Sequence, residues 1–112
     1  MAAKYELKTT ANGKYIFNLK AGNGEVILTS QQYKAASYAK KGIASVKKNG
    51  PQKERFEIKD AANGQVYFVL KAANSQVIGK SELYPSKAVA EKGIASVMKN
   101  AADAAVVEKA EA

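Results

Sequence analysis

A second copy of its own first half constrains this chain of 112 residues more than any other feature. Asn12-Gly13 returns as Asn63-Gly64, Asn23 as Asn74, Tyr33 as Tyr84, and Lys41-Gly42-Ile43-Ala44-Ser45-Val46 as Lys92-Gly93-Ile94-Ala95-Ser96-Val97. The offset is a constant 51 residues, and residues 5–49 match residues 56–100 at 23 of 45 positions without an insertion. So dense a match at a fixed period marks a duplicated structural unit. The fold therefore has to be one that two copies of a unit of about 50 residues build together, because a unit that small rarely buries enough apolar surface alone.

Within each unit the hydrophobic period changes from two to nearly four. Tyr5 and Leu7 alternate with Glu6 and Lys8, as Phe56 and Ile58 do with Glu57 and Lys59, which predicts a half-buried strand. Tyr15, Phe17 and Leu19, matched by Val66, Phe68 and Leu70, predict a second strand. Asn12-Gly13 and Asn63-Gly64 lie between these strands and predict type I′ turns, in which both central residues take positive φ. Asn23-Gly24 and Asn74-Ser75 lead to third strands around Val26-Ile27-Leu28 and Val77-Ile78. Helices follow, from about Lys34 to Lys48 and from about Lys87 to Lys99. Ala36, Ala39, Ile43 and Val46 form one stripe on the first, and Ser86 is placed to cap the second. Asn49-Gly50-Pro51 ends the first helix, and Ala104-Ala105-Val106-Val107-Glu108 has the β-branched content of a further strand.

These residues resemble the YegP-like family of small uncharacterised bacterial proteins. The resemblance rests on Lys20-Ala21-Gly22-Asn23-Gly24-Glu25, the Lys-Gly-Ile-Ala-Ser-Val run in both copies, and Phe68-Val69-Leu70-Lys71-Ala72-Ala73-Asn74. It covers nearly the whole chain. It implies a β-β-β-α unit with a further strand after the helix, and it carries no catalytic or binding residues. The expected fold is α+β: residues 1–112 form a single domain of two repeats, about 4–50 and 55–108, related by a pseudo-twofold axis. An antiparallel sheet carries both helices on one face, and a flexible C-terminal tail follows.

Composition narrows function mostly by exclusion. The chain has no His, Cys or Trp, so disulfides, Cys or His zinc sites, thiol nucleophiles and imidazole bases are outside its chemistry. Neither a phosphate-binding glycine loop nor a nucleophile elbow occurs. Glu54 with Glu57, and Glu108 with Glu111, are close in sequence, but nothing points to a shared cleft that would separate their pKa values. No cofactor, metal or catalytic residue is expected, and a carboxylate-dependent enzyme is the least favoured reading. No apolar stretch approaches the roughly 20 residues of a membrane span, so a cytoplasmic location is expected.

Charge is the remaining lead. The formal net charge is +8, yet residues 1–52 carry nine Lys and two acids, whereas residues 53–112 carry nine basic groups and eight acids. Lys34, Lys40, Lys41, Lys47 and Lys48 of the first copy form a candidate anion-binding group. Lys8, Lys20, Tyr67 and Lys71 form a candidate contact surface on the sheet face turned away from the helices. Gly13 and Gly64 are assigned to turns. Gly42 and Gly93 are assigned to close packing, since glycine inside a helix costs about 1 kcal/mol relative to alanine. The favoured function is a noncatalytic interaction module, monomeric with internal pseudo-dimer symmetry. The alternative is salt-sensitive, sequence-nonspecific nucleic-acid binding, because Arg55 is the only Arg and base reading favours the planar guanidinium.

Overall fold

The computed structural model describes residues 3–108, so the expected tail beyond Glu108 lies outside the described residues. The first repeat supplies β1 (Lys4–Thr9), β2 (Tyr15–Lys20), β3 (Val26–Thr29) and α1 (Ala36–Asn49). The second supplies β4 (Phe56–Asp60), β5 (Val66–Lys71), β6 (Val77–Lys80) and α2 (Lys87–Asn100), and β7 (Ala105–Glu108) follows. All seven strands join one sheet in the order β4-β5-β6-β3-β2-β1-β7. The two meanders meet antiparallel at β3 and β6, where Thr29 lies opposite Lys80. The one parallel pairing among the described residues is β7 on β1, because α2 carries the chain across the sheet to its far edge. β7 thus lengthens the sheet and does not cover its open face.

Both helices lie on the side to which the alternating apolar residues point. Tyr5, Phe17, Leu19, Leu28, Phe68 and Leu70 are fully buried there, beneath Ala39, Ile43 and Val46 of α1 and Ala90, Ile94 and Val97 of α2. α1 packs over β2 and the second repeat's β6, and α2 over β5 and the first repeat's β3. Each unit thereby completes the core of the other.

The first hairpin differs from the expected type I′ form, whereas the second keeps its two central residues at positive φ, with Gln65 N–H donating to Ala62 O. Thr10 N–H donates to Lys14 O (2.7 Å), so Ala11-Asn12-Gly13 forms a three-residue loop. Only Gly13 takes positive φ there, the arrangement of a type I turn closed by a left-handed residue. In the second copy Asn63 and Gly64 both take positive φ, and Ala61 N–H donates to Gln65 O. α1 begins two residues later than expected, without a side-chain cap, whereas Ser86 Oγ does accept from Val89 N–H in α2. Gly50 is right-handed (φ −58°) and so is no left-handed cap. A Cβ there would stand 2.5 Å from Ala101 Cβ, at the point where the two helix ends meet.

Gly42 and Gly93 admit aromatic side chains. Tyr33 and Tyr84 stack on Phe17 and Phe68 (centroids 6.2 and 6.0 Å), and each hydroxyl reaches the glycine of the overlying helix. A Cβ at Gly93 would stand 2.6 Å from Tyr84 Oη and 3.0 Å from Phe68 Cε2. Gly79 matters at the junction itself, since a Cβ there would stand 2.7 Å from Leu28 Cδ2. In open helix, Gly93→Ala would gain about 1 kcal/mol. Here overpacking reverses that sign: Gly93→Ala and Gly79→Ala should each destabilise by about 1–3 kcal/mol in urea denaturation, and unchanged or raised stability would contradict this packing.

Candidate functional site

Both helices cover one face of the sheet, and the other face carries no described helix. β1 contributes Lys4, Glu6 and Lys8, and β2 contributes Ile16, Asn18 and Lys20. Glu57 and Lys59 of β4, Tyr67, Val69 and Lys71 of β5, and Lys80 of β6 continue it. They share this side because each lies one residue out of phase with the core positions. Six lysines therefore meet two carboxylates on one surface.

Both carboxylates are held in pairs of lysines. Glu6 binds Lys20 at 3.0 Å and Lys4 at 3.4 Å, while Glu57 binds Lys71 at 2.5 Å and Lys59 at 3.5 Å. Their exposures differ: the Glu6 side chain is 2% accessible and that of Glu57 46%. β7 explains the difference, because Val107 lies beside Glu6, whereas no described strand flanks Glu57 on its outer side. The Lys71 hydrogen bond, followed by the charges of Lys59 and Lys71, holds the Glu57 carboxyl below its ordinary value of 4.5. Lys80 lies over the Tyr67 ring, 5.0 Å from its centroid. At the centre of the face Thr29 Oγ1 donates to Asn18 Oδ1 (2.9 Å).

The four sheet-face residues expected from sequence share this surface without forming one cluster. Lys8 and Lys20 lie on β1 and β2, Tyr67 and Lys71 on β5. β1 and β5 stand four strand spacings apart, about 19 Å. Strand alternation also puts Glu6, Glu57 and Lys59 on this face, but Lys80 and the pairing of each carboxylate with two lysines were missed. Their signal was the parity of the strand positions, combined with an unanticipated seam between β3 and β6.

The five lysines of the first copy are not brought together as an anion site. Lys47 turns inward, donating to Ala104 O (2.7 Å) and Ala102 O (3.4 Å) while lying over the Tyr5 ring. Lys40 pairs with Glu108 at 2.9 Å. Both hold the segment around β7, a role set by residues more than 50 positions downstream. Lys34, Lys41 and Lys48 are exposed, with Lys41 near the Tyr38 ring. The buried Tyr5 hydroxyl completes the anchor by donating to Ala101 O (2.6 Å), and burial pushes its ionisation far upward.

The remaining carboxylates do not converge. Glu54 is exposed in a short 3-10 turn, Glu57 is held by lysines, Glu108 is held by Lys40, and Glu111 lies outside the described residues. A cleft of about 800 Å³ beside α2 is lined by Lys92, Lys99, Ser96, Asn100 and Asp103 among others. Among the described residues no group of Asp and Glu has the arrangement of a metal site. No described helix is long and apolar enough to cross a membrane.

Two segments of the chain, residues 11–57 and 61–108, match the family described as a domain of unknown function, DUF1508. The chain belongs to the DUF1508 family. Each matched segment runs from the second strand of one repeat through its helix into the strand that follows, the first reaching the start of β4 and the second ending with β7. The solution structure of YegP from Escherichia coli, a protein of unknown function, superposes with a TM-score of 0.91 at 49% identity, covering 98% of this chain and 95% of that one. A UPF0339 protein from Shewanella oneidensis gives a TM-score of 0.90 at 45% identity, covering 98% and 93%. A UPF0339 protein of Pseudomonas aeruginosa is 50% identical over 109 residues, 97% of this chain and 99% of its own length. These DUF1508 relatives are uncharacterised, and no catalytic function is indicated for them.

Because Glu57 has a lowered pKa in the folded protein, its ion pairs stabilise fully above the unfolded value and are lost as pH falls through the folded one. The stability advantage of the wild type over Glu57→Gln should be constant near neutrality and shrink below about pH 4.5. Paired urea denaturations at pH 7, 5, 4 and 3 check this. A difference that grows on acidification contradicts it.

Proposed function

We propose that this DUF1508 protein is a noncatalytic interaction module whose helix-free sheet face docks an acidic surface of a partner protein. The observation that carries this reading is the charge arrangement of that face. Its two carboxylates are already satisfied by four lysines, Lys8 has no ion-pair partner among the described residues, and Lys80 rests on Tyr67. Half-buried Ile16 and Tyr67 and exposed Val77 and Val107 supply apolar contact between the cations. A flat cationic surface interspersed with such residues suits a protein partner, for which charge steers approach and apolar contact supplies affinity. The held, ionised state of Glu57 does not suit a general acid.

A second reading, sequence-tolerant nucleic-acid binding, has support in exposed Lys34, Lys41 and Lys48, which no described carboxylate pairs. Affinity capture with quantitative identification of partners, with and without nuclease, separates the two. The docking reading expects proteins whose capture survives nuclease, falls at least fivefold in Lys8→Glu/Lys80→Glu, and is unchanged in Lys34→Glu/Lys41→Glu. Capture abolished by nuclease, together with salt-dependent binding of single-stranded RNA or duplex DNA, would replace docking by the second reading. Capture indifferent to both double variants would remove both.

A further inference from the structure

β7 closes only one of two pseudo-equivalent sheet edges. At the β1 edge it is fixed by the Tyr5 hydroxyl, the Lys47 ammonium and the Lys40–Glu108 pair. The 51-residue offset turns Tyr5, Lys40 and Lys47 into Phe56, Glu91 and Met98. These three residues, with Ile58 and Ile94, line an open groove of about 670 Å³ between β4 and α2. Among the described residues β4 pairs only with β5. Phe56 and Ile58 are consequently half-buried where their counterparts Tyr5 and Leu7 are buried. Immediately before β4, Arg55 Nε is buried without a hydrogen-bond partner among the described residues.

The substitutions between the copies are directional. A hydroxyl donor has become a bare ring, an ammonium a thioether, and a cation a carboxylate. A strand seated here as β7 sits on β1 would find apolar contact in place of the two main-chain anchors. It would also find a negative charge where Glu108 finds a positive one. The segment 105–108 of a second copy is a poor fit, since Glu108 would oppose Glu91 and the segment already completes its own sheet.

We propose that the β4 edge accepts an extended segment of a partner protein as an eighth strand, parallel to β4. Its apolar side chains seat on Phe56, Ile94 and Met98, and a Lys or Arg pairs with Glu91. Strand addition of this kind draws affinity from the open main-chain edge and specificity from the side-chain groove. Lys53, Lys87 and Glu57 also line the groove, and Glu57 is already held by Lys59 and Lys71, so the preference for a basic residue belongs to the one position facing Glu91 and not to the groove as a whole. The groove borders the helix-free face at Glu57, but it rests on Glu91 and the apolar floor of Phe56, Ile94 and Met98, which that face does not share, so either can fail without the other.

The test uses the full chain, ¹⁵N-labelled, titrated to millimolar concentration with two end-blocked peptides of residues 101–108, one unchanged and one carrying Glu108→Lys. The Glu108→Lys peptide should shift amides of Phe56–Asp60 and of α2 around Glu91–Met98, and bind about fivefold more tightly than the unchanged peptide, as expected for an exposed charge pair replacing a like-charge contact. Glu91→Lys, an exposed substitution, should invert the preference. The proposal is overturned if neither peptide shifts β4, if the shifts fall on β1 or on Lys8, Tyr67 and Lys80, or if Glu91→Lys leaves the preference unchanged. Shifts of β4 amides that follow protein concentration without peptide would make a second copy the occupant and also overturn it.

Discussion

The contact between Leu28 and Gly79 is the constraint on which the arrangement depends. These residues are equivalents in the two repeats, and they meet where β3 and β6 join at the pseudo-twofold axis. Two leucines cannot occupy that space, and two glycines would leave a cavity whose lining has lost its contacts. One large and one absent side chain fill it. Once the seam closes, each helix spans it, and Ala39, Ile43 and Val46 with Ala90, Ile94 and Val97 seal a core shared by both units.

The same breaking of symmetry recurs at the sheet edges, where it acquires functional meaning. Equivalent positions around β1 and β4 hold a hydrogen-bonding, cationic set in one copy and an apolar, anionic set in the other. The first set binds the chain's own last strand. Part of the charge excess of the first copy is therefore structural, since Lys47 and Lys40 fasten the segment around β7. The helix-free face keeps closer symmetry, with Glu6 and Glu57 each between two lysines.

Much of this was legible from residues alone. The alternation of Tyr5, Leu7, Phe17 and Leu19 placed the strands and the side of the core, because side-chain direction follows strand parity wherever one face is buried. Gly42 and Gly93 were legible as close approaches, since a repeated helix glycine needs a reason, but the neighbour proved to be a tyrosine ring and not backbone. The Asn12-Gly13 turn was placed correctly and typed incorrectly, because Ala11 joins the loop and moves the closing pair to Thr10 and Lys14. Lys40 and Lys47 read as members of a candidate anion-binding group because their acceptors lie at Glu108, Ala102 and Ala104, beyond the reach of any local pattern.

Sequence alone determined the duplication, the order of strands and helices, the face that each strand buries, and the absence of thiol and imidazole chemistry. All of these depend on residue identity and short periods. Tertiary structure decided which edge β7 would close, which lysines would be spent as anchors, and that Leu28 would fill the space above Gly79. Those outcomes depend on side chains from different repeats competing for one space, and no spacing along the chain encodes such a contact until the sheet has closed around its axis.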